Sequence, residues 1–459
     1  MKLKENWSRT DRYRPYKEWS EEHLHSLEKK INSSHWRLGY HIQPVTGLLN
    51  DPNGFSYFDG KWQLFYQAYP MGSVHGLKSW YHLSSVNLID WKNDGLKLIP
   101  DNSFDSHGVY SGSALPIDNQ LFLAYTGNVR DSNWGRHSFQ LGAWMDKNGN
   151  ITKIPTPLIS SPPPGYTQEI RDPQLIAYDD GYLLIVGAQT EQKQGRILTY
   201  YSKDLQNWQF LGTLGFTEEE MGFMIECPNL LFVNGKALLV FCPQGLSHEI
   251  HSYSNIYPNT YVIGQTFDFE KNELSDPTHI KNIDEGFDIY ATHCFSDENG
   301  RTLAISWIGL PEISYPTDEE GWAHCLSIVK ELTIEKEQLY QRPVKETAQL
   351  RKGKPYHFSG LETTIDAEIN QYELQLEFDY SQKGTILLFA DEQQKHGLTL
   401  SFDMIHGKMS MDRSHAGKSF AENFGTVREF SIEKKPLKLQ IFVDRSVVEV
   451  FVNDGQQTA

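Results

Sequence analysis

Cysteine is scarce in this chain of 459 residues. Its four thiols, Cys227, Cys242, Cys294 and Cys325, form no CxxC pair. A zinc ribbon and a disulfide framework are thereby excluded, and reduced thiols are expected. Long apolar runs are missing too. No stretch is long enough to cross a bilayer as a helix, and the opening "MKLKENWSRTDRYRPYKEWSEEHLHSLEKK" lacks the apolar centre of a secretory signal. A cytoplasmic protein with no membrane partner is expected. Positive charge is outweighed, with 42 Lys and Arg against 59 Asp and Glu and a net charge of −17. Such a surface argues against nucleic acid as a partner, and an anionic ligand has to be met by its own local basic side chains. No Gly-rich phosphate loop and no Gly-x-Ser-x-Gly elbow occur. His75, His82 and His107 are scattered rather than spaced as metal ligands, so neither a metal nor a cofactor is expected. Nothing in the sequence reports an oligomeric state.

Aromatic rings, in contrast, are abundant: 13% of residues, with 11 Trp. They suit strands, and they also stack on the apolar faces of sugars. Helix is expected only near the start. There Ser20 is placed as an N-cap, and Leu24, Leu27 and Ile31 follow at helical spacing. From Trp36 onward the chain reads as short strands and turns.

Taken alone, "NDPNG" (Asn50 to Gly54) is turn chemistry. Its surroundings recur, however. "DPNGFSYFDGKWQLFYQ" from Asp51, "DPQLIAYDDGYLLIVGA" from Asp172 and "ECPNLLFVNGKALLVFC" from Glu226 each give an acid, a Pro, an apolar run, a turn ending in Gly and a second apolar run. Each is a β-hairpin by turn logic. Weaker copies start at Asp105 and Asp288, and "SVNLIDW" and "SKDLQNW" repeat Ser-x-x-Leu-x-x-Trp. Repeated small antiparallel sheets are the signature of a propeller. The expectation is an all-β chain: a helical segment over 1–35, a five-bladed β-propeller over 36–340 with the three acids in register around one funnel, and a β-sandwich over 345–459. The last part rests on alternating runs such as "YELQLEFDY" and "HGLTLSFDM". A partner strand is expected after the "NDG" turn at Asn453 to Gly455. The sequence runs only to Ala459, so that strand is expected to be truncated or supplied from elsewhere.

Paired carboxylates in an aromatic funnel point to glycoside chemistry. A retaining enzyme needs one ionised nucleophile and one protonated acid, roughly 5–5.5 Å apart. Glu226, in apolar "GFMIECPNLLF", suits the acid, because burial favours the neutral form. Asp51, among Asn50, Asn53 and turn amides, suits the ionised nucleophile. Asp172 follows Arg171, whose charge is expected to hold it anionic, fit to grip sugar hydroxyls and stabilise a cationic transition state.

The motifs "LNDPNG", "YSGSA", "RDP", "ECP", "DIYA" and "DRSVVEVFVNDG" resemble those of the β-fructofuranosidases of glycoside hydrolase family 32, over nearly the whole chain from His41 to Gly455. The resemblance implies a five-bladed propeller with a C-terminal sandwich and retention of configuration. It implies Asp51 as nucleophile, Glu226 as acid/base and Asp172 as transition-state stabiliser. It further implies a fructose pocket drawn from Leu48, Leu49, Asn50, Gln67, Trp80, Tyr110, Ser111, Arg171 and Trp307. "VHGLKSWYH" and "YTGNVRD" are similar to the bacterial intracellular branch, whose substrate is sucrose 6-phosphate. Lys78, Arg130 and Arg136 are the candidates for meeting the phosphate. Two other readings stand beside this one: an invertase or short-fructan hydrolase acting on unphosphorylated sugar, and a sugar-binding propeller without catalysis. The presence of all three carboxylates argues against the second.

Overall fold

The computed structural model describes residues 6–360, 362–367 and 369–459. Among the described residues α-helix is confined to the start, as expected, and later helical structure is limited to short 3-10 turns at Pro316–Glu320, Lys345–Leu350 and Glu422–Phe424. Ser20 Oγ accepts the His23 N–H (3.2 Å) and caps the helix Glu21–Asn32, with Glu21 and Glu22 in its first turn and Lys29 and Lys30 in its last, each complementing the helix dipole. Leu27 and Ile31 bury against Leu38, Trp322 and Cys325. A shorter helix, Arg9–Arg12, is closed by a Ser8–Asp11 capping box.

Five larger, mainly antiparallel sheets follow, with a two-stranded ribbon of Phe267–Asp268 and Glu273–Leu274. Their first strands are β1 (Gly47–Phe58), β2 (Val109–Ile117), β3 (Tyr166–Tyr178), β4 (Met224–Val233) and β5 (Ile289–Ser296). The first four turn into their partner strands through Asp59-Gly60, Asp118-Asn119, Asp179-Asp180 and Asn234-Gly235. Asp59, Asp118, Asp179 and Asn234 all take positive φ, the backbone that two-residue hairpin turns require. The third turn is thus Asp179-Asp180, with Gly181 already paired in the next strand. The heptapeptide repeat folds twice in the same way. Leu88 and Leu205 adopt positive φ, and the indoles of Trp91 and Trp208 donate to their carbonyls at 3.1 and 3.2 Å.

The sheets pack face to face in chain order. Phe65 and Trp80 of the first meet Leu123 of the second, Phe122 of the second meets Leu184 of the third, and Ile185 of the third meets Leu239 of the fourth. Leu238 of the fourth then meets Ala304 of the fifth, and Ile305 of the fifth meets Leu64 of the first. The first strands contact one another in the same order, and β5 contacts β1. Four of these junctions carry the same clasp. Asn53 Oδ1 accepts Gly112 N–H (2.9 Å), Ser113 Oγ accepts Leu175 N–H (2.8 Å), Gln174 Oε1 accepts Leu230 N–H (2.6 Å) and Asn229 Oδ1 accepts Cys294 N–H (3.0 Å). At the remaining junction, Trp322–Ala323 pairs in parallel with Gly47–Leu48.

The C-terminal part is two four-stranded antiparallel sheets. Their alternating residues Leu400, Phe402, Met409, Leu439, Ile441 and Val450 share one core, as the sequence pattern requires. The strand expected after Asn453–Gly455 is present as Gln457–Thr458, paired with Phe451–Val452. A buried His41 ties this part to the five sheets. Its Nδ1 meets Asp444 Oδ2 at 2.9 Å and its Nε2 meets Glu449 Oε1 at 2.8 Å.

Candidate active site

At the same height, each of the five first strands carries an extra residue relative to its partner strand; β1 and β3 have a second irregularity elsewhere. The register shifts fall between Asn50 and Pro52, Tyr110 and Gly112, Arg171 and Gln174, Glu226 and Asn229, and Tyr290 and His293. A bulge kinks a strand and re-aims its side chains. Asp172, Cys227 and Ala291 all take positive φ there, a strained backbone of the kind found at functional sites. Five bulges at one height gather residues from the whole chain onto one end of the sheets.

Their register corrects the sequence alignment. Lined up by the bulge, Asp172 and Cys227 are equivalent, and Glu226 stands one place earlier, opposite Arg171 and Tyr290. The three acids are therefore not in register. Pro52, Pro173 and Pro228 had carried the signal, because Glu226 is separated from its Pro by Cys227.

The bulges build one bonded network. Asp51 Oδ2 accepts from Ser111 Oγ (2.5 Å) and Gln67 Nε2 (3.3 Å), and its Oδ1 accepts from Asn50 Nδ2 (2.9 Å). Asn50 Nδ2 also donates to Gln67 Oε1 (3.0 Å), and Asn50 Oδ1 accepts from Lys78 Nζ (2.5 Å). Asp172 Oδ2 accepts the Cys227 N–H at 3.0 Å. Cys227 Sγ lies 3.9 Å from Asp51 Oδ2 and 3.6 Å from Asp172 Oδ2. Glu226 accepts from Arg171 Nε on Oε1 and from the Tyr290 hydroxyl on Oε2, both at 2.8 Å. Arg171 Nη1 and Arg136 Nη1 each donate to Glu169 Oε2 at 2.6 Å.

Electrostatics follow from this crowding. Burial raises Asp172 to about 7, the nearby Glu226 charge adds to the rise, and Arg171 only partly opposes it. Asp51 is also raised, by burial above all, against the hydrogen bonds from Ser111 and Asn50. Burial lowers Lys78 to about 7, against the attraction of Asp51. The Arg171 charge does lower Asp172, as expected, but the guanidinium bonds Glu226 and Glu169, and burial with the Glu226 charge outweighs it. Buried carboxylates this close share protons rather than ionise independently.

Of the expected pocket residues, Asn50, Gln67, Ser111 and Arg171 lie in this network, and Tyr110 is half-buried beside Ser111. Trp307 packs edge-on to Tyr290 at 6.0 Å. Three side chains are corrected from pocket wall to core. Leu48 packs with Tyr69 and Leu77, and Leu49 with Tyr66 and Trp307. Trp80 is 0% exposed and donates to the Tyr110 carbonyl at 3.0 Å, a prop beneath Tyr110. Lys78 is corrected as well. It is 4% exposed and bonded beneath Asn50, not free at a rim. Arg130 and Arg136 do stand together, directly opposed across the second and third strands of the second sheet. Residue-level reasoning missed Tyr290, Glu169 and Cys227. Tyr290 sits inside "DIYA" and Cys227 inside "ECP", so both were within quoted motifs. Glu169 carries no motif signal. Among the described residues no group of three His, Cys, Asp or Glu is placed to hold a metal ion, and no helix is long and apolar enough to cross a membrane.

Comparison with known proteins gives the same location a family. The profile of the glycosyl hydrolases family 32 N-terminal domain matches residues 41–343, and that of the family 32 C-terminal domain matches residues 335–459. The chain is 48% identical to the sucrose-6-phosphate hydrolase of Pediococcus pentosaceus, over 98% of this chain and 90% of that protein. It is also 48% identical to the sucrose-6-phosphate hydrolase of Streptococcus mutans, over 97% and 92%. Among solved structures, sucrose-6-phosphate hydrolase from Lactobacillus gasseri superposes with a TM-score of 0.95 at 42% identity, covering 99% of this chain and 93% of that one.

Proposed function

The chain belongs to glycosyl hydrolases family 32 and is a glycosidase; from that premise we propose that it hydrolyses sucrose 6-phosphate, and sucrose more weakly, to fructose and glucose 6-phosphate (or glucose) with retention of configuration. Asp51 attacks the anomeric carbon of the fructosyl unit. Glu226 gives its proton to the departing glycosidic oxygen. Water then attacks the fructosyl–Asp51 ester, Glu226 takes the proton from that water, and Asp51 is released. Asp172 holds fructose hydroxyls and stabilises positive charge as it develops. Tyr290 and Arg171, each 2.8 Å from Glu226, stabilise its ionised form between the two steps. The cyclic packing of the five sheets supports a five-bladed propeller over 36–340, followed by a sandwich over 345–459. A substrate delivered as a sugar phosphate fits a cytoplasmic enzyme.

The observation that carries the substrate is a cationic spot on an acidic chain. Arg130 and Arg136 oppose each other across a hairpin, an arrangement that is unfavourable by itself, and Arg136 shares Glu169, its one carboxylate partner among the described residues, with Arg171. A dianionic phosphate relieves that repulsion. Measuring kcat/KM on sucrose 6-phosphate and on sucrose tests the reading. A clear preference for the phosphorylated sugar is expected, and equal values refute it.

A further inference from the structure

The segment ahead of the helix Glu21–Asn32 is not a frayed end. The Arg12 carbonyl accepts the Leu77 N–H at 2.7 Å, the Tyr69 hydroxyl donates to the Asp11 carbonyl at 3.1 Å, and the Trp7 ring lies against Trp19 and Tyr69 at 5.6 and 5.8 Å. These bonds lay Arg9 and Tyr13 over the second sheet. Tyr13 meets the Trp134 ring edge-on at 5.1 Å, and the Arg9 guanidinium lies 4.5 Å from the same ring. Arg130 also reaches Trp134, with its guanidinium 5.7 Å from the ring and Nη1 donating to the Trp134 carbonyl at 3.2 Å.

Trp134 is held at φ 66, a costly backbone for an aromatic residue. Asp131 enforces it by accepting the Asn133 and Gly135 N–H groups at 2.9 and 2.7 Å. The turn is therefore built to present this ring. Tyr13 lies beside the Tyr110 phenol, within the fields of Arg130 and Arg136, and the Arg136 guanidinium lies 5.7 Å from the Tyr110 ring. Tyr110 precedes Ser111, which bonds Asp51, and Arg136 joins Glu226 through Glu169 and Arg171. The cluster thus borders the reacting carboxylates. Among the described residues, Glu169 is the one carboxylate bonded to any of Arg9, Arg130 and Arg136. The Nε atoms of Arg130 and Arg136 are buried without a partner, donors left available in a place where burial makes that costly.

We infer that the N-terminal segment is part of the substrate site: Arg9 and Tyr13, brought onto Trp134, complete with Arg130 and Arg136 a seat for a sugar phosphate monoester at the leaving-group side of the carboxylates. Tyr13 contributes a hydroxyl donor, Arg9 a second-sphere positive charge, and the two inner arginines direct hydrogen bonds. This inference rests on sucrose 6-phosphate being the substrate.

The test compares wild type, Tyr13→Phe and Arg9→Ala. Phenylalanine keeps the ring against Trp134, and Arg9 is exposed, so both variants are expected to fold. The readouts are the ratio of kcat/KM for sucrose 6-phosphate to that for sucrose, and inhibition of sucrose hydrolysis by glucose 6-phosphate. Loss of a charge-assisted bond predicts that Tyr13→Phe lowers the ratio about tenfold and weakens glucose 6-phosphate by a similar factor; Arg9→Ala, acting at longer range, is expected to lower both by about threefold. A ratio and an inhibition constant unmoved in both variants overturn the inference, as do equal losses on the two substrates. A wild-type enzyme that treats the two sugars alike overturns the substrate reading itself. A wild type that prefers the phosphate, with variants whose ratio stays put, overturns only the role of the N-terminal segment.

Discussion

His41 offers a pH test of how the two parts of the chain hold together. The residue lies fully inside the protein, with Asp444 on one ring nitrogen and Glu449 on the other. Burial alone would push it down, but the two hydrogen bonds and the two negative charges outweigh that and raise it to about 9 from 6.5. Asp444 is held well below the ordinary carboxylate range: burial raises it, and His41 with the backbone N–H groups of Gly39 and Tyr40 more than compensates. A histidine raised on folding stabilises the fold fully below its unfolded value near 6.5, and that contribution disappears as pH climbs through about 9. A shift of this size corresponds to about 3 kcal/mol. Removing one partner of a buried ion pair costs roughly 3–5 kcal/mol by independent experience. His41→Gln is therefore expected to lower unfolding free energy by about 3 kcal/mol at pH 6.5, and by much less at pH 10, where wild-type His41 is itself neutral. Urea denaturation of both proteins from pH 6 to 10, followed by tryptophan fluorescence, measures this directly. A difference that stays constant across that range, or remains below about 1 kcal/mol at pH 6.5, would refute the charged clasp and leave a merely space-filling histidine.

Asp51→Ala and Glu226→Ala should each lower kcat by several orders of magnitude, because each removes a bond-forming or proton-transfer step. Azide should partly restore Glu226→Ala on a fructoside with a good leaving group, giving a fructosyl azide of retained configuration; wild-type turnover in either variant ends the assignment. Tyr290→Phe removes one of the two donors to Glu226 and is expected to cost roughly tenfold in kcat/KM on both substrates alike, a pattern read from parallel Michaelis curves. Arg136→Ala should weigh more on sucrose 6-phosphate than on sucrose. Lys78→Ala, which removes the support of Asn50 rather than a rim charge, should weigh on both equally, and the opposite assignment of these two variants would return Lys78 to the phosphate.

Much of the architecture was legible because it repeats. Asn-Gly and Asp-Gly between apolar runs mark hairpins with positive-φ turns, and the Ser-x-x-Leu-x-x-Trp copies fold into one shape because each indole caps its own leucine carbonyl. The alternating runs after Val344 mark a sheet with one wet face. Less was legible wherever a side chain's direction mattered. Trp80 enters the expected fructose pocket only through the family resemblance. The strand pleat instead turns it into the core between the first two sheets, with its polar edge bonded to Tyr110. Leu48 and Leu49 come just before Asp51 in sequence, yet a strand sends such neighbours inward to different cores. Lys78 reads as a surface cation by charge alone. Only the fold shows Asn50 above it.

The one-residue displacement of Glu226 says most about how such a site is specified. Each bulge offers two adjacent positions, one before the extra residue and one at it: Asn50 and Asp51, Tyr110 and Ser111, Arg171 and Asp172, Glu226 and Cys227, Tyr290 and Ala291. The earlier position supplies Asn50, Arg171, Glu226 and Tyr290, of which Arg171 and Tyr290 both donate to the Glu226 carboxylate. The later position supplies Asp51, Ser111, Asp172 and Cys227, which gather around the Asp51 and Asp172 carboxylates. The two carboxylates proposed as nucleophile and acid thus differ in position as well as in sequence neighbours. Asp51 rests among hydroxyl and amide donors, and Glu226 between a guanidinium and a phenol. Had the acid occupied the later position of β4, it would have stood where Cys227 now does, within 4 Å of both Asp51 and Asp172. Three carboxylates crowded that closely would resist ionising together, and the site would lose the ionised nucleophile that the first step requires. The extra residue Cys227 between Glu226 and Pro228 therefore separates the carboxylate proposed as proton donor from the one proposed as nucleophile. Deleting Cys227 is expected to abolish turnover, whereas Cys227→Ala, which keeps the spacing, should retain measurable hydrolysis of sucrose in a glucose-release assay; loss of turnover in both would show that the thiol itself, not the offset, is what the site requires.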